Sequence, residues 1–155
     1  MSTFQTVKIE PVQKQFKVGL SPEGAFRLFT EGIDKWWPLA THSVGGDQAQ
    51  SCYFEGRVGG RIMEVLKDGS QAEWGKVLVW NPFELVSFSW YPGRTPETAQ
   101  EVTVTFSEME DGGTLVELVH MGWEKLGERA GSGRAGYDLG WDFVLAKYIV
   151  RATEG

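Results

Sequence analysis

The stretch EVTVTF at residues 101–106 carries the clearest structural pattern in the chain. Val102, Val104 and Phe106 alternate with polar residues, so an extended backbone places these three on one face and the threonines on the other. Such alternation is typical of an antiparallel sheet with one buried face and one face in water. The stretch therefore predicts a sheet whose apolar face has to be covered by another element.

Comparable strand patterns lie on both sides of this stretch, and short turn signals separate them. The period of two residues begins near Tyr53, and the turns contain Asp-Gly, Asn-Pro, Pro-Gly and Gly-Gly pairs. Strands joined by short turns predict an antiparallel meander. An opening strand is also predicted over Val7–Leu20, with Pro11 as an interruption or edge position. The other strands predicted for the meander cover residues 61–66, 72–80, 85–90 and 115–121.

Two short helices are predicted between the opening strand and the meander. The sequence Ser-Pro-Glu at residues 21–23 is a helix start, because serine caps, proline suits the first position and a carboxylate is favoured at the positive end of the helix dipole. A glycine at residue 32 is placed to end this helix. A second helical piece is predicted to carry Ile33, Trp36 and Trp37 until Pro38 stops it.

The C-terminal part of the chain changes to helical periodicity. An amphipathic helix is predicted over Gly136–Ala152, with the charged residues mostly on the opposite side. The layout is then β-α-α-β6-α, an α+β fold of about seven strands in which a curved antiparallel sheet closes around one long helix. We expect a single domain over residues 1–155. The apolar positions of the last helix are Tyr137, Trp141, Val144, Leu145, Tyr148 and Ile149.

Composition and charge limit the function classes. The chain has 155 residues, a net charge of −6 and scattered basic residues, which argues against a nucleic-acid partner. The single cysteine, Cys52, cannot form an internal disulfide, and no stretch has the apolar length of a signal peptide core or a membrane span. We therefore expect a cytoplasmic protein with no membrane partner.

Short motifs in a fixed order resemble the START-like (birch-pollen-allergen-like, SRPBCC) superfamily. Within it the chain is most similar to the family named for the activator of the heat-shock chaperone's ATPase. The resemblance implies the helix-grip fold and a cavity that in relatives often holds an apolar small molecule, and it carries over no shared catalytic residues. It does not bring the chaperone role, because the eukaryotic activator uses a separate N-terminal domain for it. The motifs are Trp36-Trp37-Pro38, Gly59-Gly60-Arg61, Gly75-Lys76-Val77, Asn81-Pro82 with Leu85 and Trp90, Val102-Thr103-Val104, Gly113-Thr114 and Gly140-Trp141.

Inward-facing aromatic residues define a candidate ligand site between the sheet and the last helix. If they converge, they enclose an aromatic-walled space with a few polar groups, the usual composition of a small-molecule site. The alternative is that the same residues fill a solid core. The first hypothesis is a non-enzymatic protein that binds a small hydrophobic or aromatic molecule. The candidate ligand-binding residues are Trp36, Trp37, His42, Phe54, Phe88, Trp90, Leu118, His120, Tyr137 and Trp141.

The two histidines raise a second hypothesis, an enzyme of the cyclase, dehydratase or isomerase type. His120 would be its acid–base group and Tyr137 would position the substrate. The alternative is a core histidine bonded to a neighbouring backbone group. His42 follows the Trp-Trp-Pro motif in a loop that either borders the cavity mouth or is simply exposed.

The remaining candidates carry weaker expectations. No metal or cofactor is expected, because His42, His120 and a carboxylate such as Glu55 or Glu64 lack the short spacing of a preformed metal site. Arg57 or Arg61 would meet a ligand acid or Glu64, or else lie in solvent at a strand end.

A third hypothesis is a protein-interaction module with a packed interior and an exposed apolar patch. A homodimer and a chaperone partner are left open. The glycine-rich stretch 131–133 predicts a flexible joint that would let the last helix or the loop Trp123–Arg134 act as a lid, unless the loop is merely a connection.

Overall fold

The computed structural model describes residues 10–154 and confirms the α+β helix-grip fold. Seven antiparallel strands form one sheet in the order β1-β7-β6-β5-β4-β3-β2. Short 3-10 turns occupy Ile33–Lys35, Gly46–Gln48, Pro96–Thr98 and Trp123–Arg129. The helices and strands are β1 (Val12–Val18), α1 (Pro22–Phe29), β2 (Ala49–Phe54), β3 (Arg61–Leu66), β4 (Gln71–Asn81), β5 (Leu85–Trp90), β6 (Gln100–Glu108), β7 (Thr114–Met121) and α2 (Ala130–Glu154).

The meander from β2 to β7 has one buried face, as the alternation in β6 predicts. Val102, Val104 and Phe106 are buried, whereas Thr103 and Thr105 between them are half-buried. The first strand closes the order by pairing with the last, since Val12 lies opposite His120 and Val18 opposite Thr114. The predicted opening strand is confirmed only from Val12, and its first part, with Val7, lies outside the described residues.

The sheet curls at β4, which pairs with β3 through its first half and with β5 through its second half. Gly75 lies at the change, beside a register shift between Ile62 and Met63. A Cβ atom at Gly75 would overlap the carbonyl oxygen of Ser89 on β5, so only glycine allows the two strands to come this close. The curl turns the apolar face of the sheet into a concave surface that receives α1 and α2.

Helix α1 forms as its sequence predicts but ends earlier. Ser21 caps it by accepting a hydrogen bond from the Gly24 amide at 3.2 Å, and Pro22 occupies the first turn. Ala25, Phe26 and Phe29 bury the inner side of the helix. The last helical residue is Phe29, and not a residue next to Gly32.

The second predicted helical piece forms only in part. Only the 3-10 turn Ile33–Lys35 forms, and the two tryptophans follow it in an irregular segment. The indole of Trp36 donates to the Leu28 carbonyl and that of Trp37 to the His42 carbonyl, both within 2.8 Å. The backbone amides of Trp36 and Trp37 still donate to the Ile33 carbonyl, and the turn ends there because Pro38 has no amide to continue a helix.

The stretch Trp123–Arg134 is not the loop with a glycine joint that the sequence predicts. The chain forms two short 3-10 pieces between Trp123 and Arg129, separated by a kink at Gly127, and enters α2 at Ala130, six residues before the predicted start. A Cβ atom at Gly133 would lie 2.6 Å from Leu126, so the glycine lets the 3-10 turn pack against the helix. Within residues 10–154, no helix combines the length and apolarity that crossing a bilayer requires.

Candidate functional site

The ten predicted site residues separate into a core group and a cleft group. Five belong to the buried core between the sheet and the helices and do not line the cleft described below. They pack against each other and their neighbours, as Trp36 does on Tyr148 with ring centroids 5.1 Å apart and Phe54 on Phe88 at 5.4 Å. The core group is Trp36, Phe54, Phe88, Leu118 and His120, and the cleft group is Trp37, His42, Trp90, Tyr137 and Trp141, of which Trp90 and Trp141 also belong to the core cluster.

The cleft group lines an opening of about 350 Å³ at one end of this core. Three segments form its walls: the irregular segment after the first 3-10 turn, the end of β5 with the residues after it, and the N-terminal half of α2. The walls are mostly apolar, with a few hydroxyl and imidazole groups near the segment at residues 41–43. The residues lining the cleft are Trp37, Thr41, His42, Ser43, Val44, Trp90, Pro92, Gly93, Tyr137, Gly140, Trp141 and Val144.

Three tryptophans meet at the base of the cleft. The ring centroids of Trp37 and Trp90 lie 5.8 Å apart, those of Trp37 and Trp141 6.0 Å, and those of Trp90 and Trp141 5.9 Å. Each ring comes from a different wall, so the triangle depends on all three segments. The three rings pack against one another, and Trp90 and Trp141 are each only 3% exposed, so a flat apolar molecule entering the cleft would rest on the edge of this aromatic cluster.

The indole N–H groups of these tryptophans have different partners. The Trp37 indole donates to the His42 carbonyl at 2.7 Å, and the Trp141 indole donates to Nδ1 of His120 at 2.9 Å. The Trp90 indole nitrogen is buried and has no hydrogen-bond partner, alone among the buried side-chain nitrogen and oxygen atoms of residues 10–154. A buried donor without a partner is costly, and the Trp90 indole N–H is such a donor, with no protein group to accept its hydrogen bond.

Glu64 fixes the wall that carries His42. Its carboxylate is 0% exposed and accepts hydrogen bonds from the Val44 amide at 2.8 Å, the Gly45 amide at 2.7 Å and the Trp74 indole at 2.8 Å. From the sequence, Glu64 is expected only as a metal ligand or an arginine partner. Its position inside an apolar strand is the signal for the observed role, because a buried carboxylate needs buried donors.

The arginines near Glu64 in sequence pair elsewhere. Arg61 and Arg57 both face Glu55, at 3.6 Å and 3.9 Å. Neither arginine lines the cleft. The reading of these residues as strand-end charges therefore fits the structure better than a contact with Glu64.

His120 is enclosed in the core. It is 0% exposed, its Nδ1 accepts from Trp141, and its Nε2 lies 3.3 Å from Oε1 of Gln100. Its ring stacks on Trp123 with centroids 4.2 Å apart. Burial, assisted by the positive charge of Arg94, lowers the pKa of His120 to about 3, so the imidazole is neutral near pH 7.

The arrangement around His120 does not meet the condition for an acid–base group in the cleft. The rings of His120 and Tyr137 are 4.9 Å apart, yet only Tyr137 lines the cleft. Both imidazole nitrogens already have protein partners, which leaves none for a substrate. The residue holds Trp141 in position instead.

His42 lies at the rim of the cleft, as one of its two interpretations predicts. Its Nδ1 is 2.8 Å from the Thr41 hydroxyl, and its ring stacks on Phe143 of α2 with centroids 4.8 Å apart and planes 10° from parallel. Cys52 is buried, and burial raises the pKa of its thiol, which therefore stays protonated. In residues 10–154, no three His, Cys, Asp or Glu residues cluster in a way that could hold a metal ion.

The fold and the cleft define the class: a helix-grip domain with an aromatic-walled opening under its long helix. The sequence profile of the family described as "Activator of Hsp90 ATPase homolog 1-like protein" matches residues 19–148. The chain therefore belongs to that family.

Solved structures extend this result. The anthrahydroquino-γ-pyrone synthase Txn09 is 32% identical, with a TM-score of 0.59, and the match covers 81% of this chain and 84% of that one. The self-sacrificing resistance protein CalC from Micromonospora echinospora shares the fold at 24% identity and a TM-score of 0.68, over 92% of this chain and 94% of that one. The Aha1 dimer from Colwellia psychrerythraea is 19% identical with a TM-score of 0.63, over 91% and 94%. No curated protein sequence matches the chain significantly.

Proposed function

We propose that this protein binds a small hydrophobic or aromatic molecule in the cleft. The observation that carries the proposal is the triangle of Trp37, Trp90 and Trp141 at the base of an open, mostly apolar space. A volume of about 350 Å³ lies within the roughly 300–1,000 Å³ of typical small-molecule sites. The core beneath the triangle is packed, so the ligand occupies the cleft and not the centre of the fold.

Aromatic packing supplies the attraction. A planar ligand that contacts the tryptophans gains roughly 0.5–1.5 kcal/mol for each well-placed aromatic pair beyond the burial of its apolar surface. The identity of 32% to a synthase named for a fused aromatic product supports an aromatic ligand of this kind.

A cyclase-type enzyme is the second candidate, and the same relative favours it. In this chain the groups available for proton transfer at the cleft are His42 and the hydroxyls of Thr41, Ser43 and Tyr137, and not His120. Turnover of an aromatic precursor that stops in His42→Gln but continues in His120→Gln would favour this candidate over simple binding.

The test uses a neutral fluorescent probe, N-phenyl-1-naphthylamine, with tryptophan quenching and thermal melting as readouts. At about 100 times its dissociation constant a ligand adds about 2.7 kcal/mol of stability, which raises the melting temperature by roughly 5–10 °C in a domain of this size. We expect both quenching and stabilisation.

Two exposed valines give a matched pair of variants. Val44 is 46% exposed and lines the cleft, whereas Val58 is 66% exposed and lies outside it. Val44→Arg should abolish probe binding, and Val58→Arg should leave it unchanged. Binding that survives Val44→Arg, or silence of a whole aromatic panel, would contradict the proposal and leave the protein-interaction alternative.

A further inference from the structure

We propose that the ligand carries an acidic group, which binds in a groove beside the cleft between Arg94 and Arg129. The inference rests on the proposed function, because it concerns one end of the same ligand. It identifies the ligand class as an amphipathic aromatic acid, such as an aryl carboxylate, sulfonate or phosphate.

The groove and the cleft adjoin. The groove measures about 610 Å³ and lies between the residues after β5 and the start of α2. Gly93 and Tyr137 line both spaces. A single molecule with its ring against the tryptophans can therefore extend past Tyr137 into the groove.

The charge in the groove has one sign. Arg94 and Arg129 line it, and its other polar lining side chains belong to threonine, serine and tyrosine, which are neutral. Among the described residues, neither arginine has a carboxylate within 4.0 Å. Four of the other arginines, Arg27, Arg57, Arg61 and Arg151, face at least one carboxylate each.

Arg94 is held in place by neutral acceptors. Its guanidinium donates to the Thr98 carbonyl at 2.8 Å, to Oε1 of Gln100 at 3.2 Å, to the Trp90 carbonyl at 3.3 Å and to the Tyr137 hydroxyl at 3.4 Å. These bonds orient the group but do not neutralise it. A half-buried cation without a counter-charge attracts an anion more strongly than a fully solvated one.

The surrounding protein makes this groove distinctive. The chain carries a net charge of −6, so its average field repels anions. The groove differs from this negative average, because two arginines and no acidic residue line it. It lies directly beside the apolar aromatic cleft. Both halves of an aromatic acid find a matching surface at this junction.

The experiment compares two probes that share an anilinonaphthalene skeleton. One is 8-anilinonaphthalene-1-sulfonate, which is anionic, and the other is the neutral N-phenyl-1-naphthylamine. Arg129→Gln removes one charge from the groove; the Arg129 side chain is exposed and makes no hydrogen bond to another described residue, so the fold should persist. The matched control is Lys125→Gln, which removes an exposed charge from the same 3-10 turn outside the groove.

We expect Arg129→Gln to weaken sulfonate binding about 3- to 5-fold, the effect of a partly exposed ion pair, and to leave neutral binding unchanged. Lys125→Gln should change neither affinity. Displacement of the bound sulfonate by 1-naphthoate and by 1-naphthyl phosphate, with neutral 1-naphthamide for comparison, then distinguishes a carboxylate ligand from a phosphate ligand.

Each other outcome overturns the inference in a recognisable way. Equal loss for both probes in Arg129→Gln, or equal loss of sulfonate binding in Lys125→Gln, would show that the groove has no specific anion site while the cleft proposal stands. Failure of both probes to bind the unmodified protein would remove the cleft proposal and this inference together.

Discussion

At the scale of single residues, His120 shows how burial changes the role of a reactive side chain. With a pKa of about 3 in the folded protein and about 6.5 in the unfolded chain, only the unfolded chain takes up a proton as the pH falls below 7. The unfolded state is therefore favoured at lower pH, and the free energy of unfolding falls by about 2 kcal/mol between pH 7 and pH 5 from this group.

His120→Gln should remove that pH dependence. A glutamine at this position can accept from the Trp141 indole through its oxygen and donate to Gln100 through its amide, so both hydrogen bonds can be kept. The unfolding free energy, measured by urea unfolding at pH 7 and at pH 5, should then fall by about 2 kcal/mol less in the variant than in the unmodified protein. His42→Gln is the control, since His42 is only half-buried and lies at the rim. If the unfolding free energy of His120→Gln depended on pH as strongly as that of the unmodified protein, His120 would take up a proton in the folded protein as readily as in the unfolded chain.

The sequence predicts part of this residue-scale result. The alternation in β7 places His120 on the apolar face of its strand, which predicts burial and the need for a partner. The partners themselves, Gln100 and Trp141, are 20 and 21 residues away and meet His120 only through the sheet register and the docking of α2. Periodicity contains no information about such contacts.

At the scale of elements, the segment from Trp37 to Gly45 is irregular and depends on Glu64 for its position. Glu64→Gln replaces one acceptor oxygen with an amide that faces a backbone N–H or an indole N–H. Loss of charge-assisted bonds in a buried site should cost about 2–4 kcal/mol of unfolding free energy. Amide hydrogen exchange at Val44 and Gly45 should accelerate, and affinity for a cleft probe should fall because the His42 wall is released.

Glu55→Gln separates this effect from a general loss of charge. Glu55 also accepts a backbone hydrogen bond, from Arg61 at 2.7 Å, but it lies outside the cleft. We expect exchange at Val44 and Gly45 to be unchanged in this variant. Equal exchange rates at Val44 and Gly45 in Glu64→Gln and the unmodified protein would rule out Glu64 as the anchor of the wall.

The sequence predicts the boundaries of helices and strands well where its apolar residues recur at a regular spacing, and poorly where they do not. The strands of the meander and the core of α2 follow periods of two and of three to four residues, and the structure confirms them. Residues 36–48 have no period, and the glycines at 131 and 133 read as a joint although they lie inside α2. Gly133 leaves room for the Leu126 side chain to pack against α2, a contact that local sequence does not reveal.

At the scale of the whole molecule, the sequence predicted a curved sheet around a helix but not where the interior is filled. Aromatic residues that pack the core and those that line the cleft have the same spacing in their elements, as Phe88 and Trp90 on β5 show. Which of them faces empty space depends on the curl of the sheet and on how far α2 is displaced from it. Volume differences of this kind arise from three-dimensional packing, which apolar periodicity does not encode.

The curl itself can be tested at Gly75, where β4 changes its pairing from β3 to β5. Gly75→Ala places a methyl group against the Ser89 carbonyl, and neither strand can move without breaking its hydrogen bonds. We expect a loss of at least about 3 kcal/mol in urea unfolding, together with weaker binding at the cleft, since Trp90 directly follows Ser89. Gly24→Ala is the matched control. Its methyl group would make only ordinary contacts, at 3.5 Å or more, with Leu20 and Ser21, and in a helix such as α1 alanine is favoured over glycine by up to about 1 kcal/mol. If Gly75→Ala were as stable as the unmodified protein, β4 and β5 would not approach this closely, and the concave face that forms the cleft would need another cause.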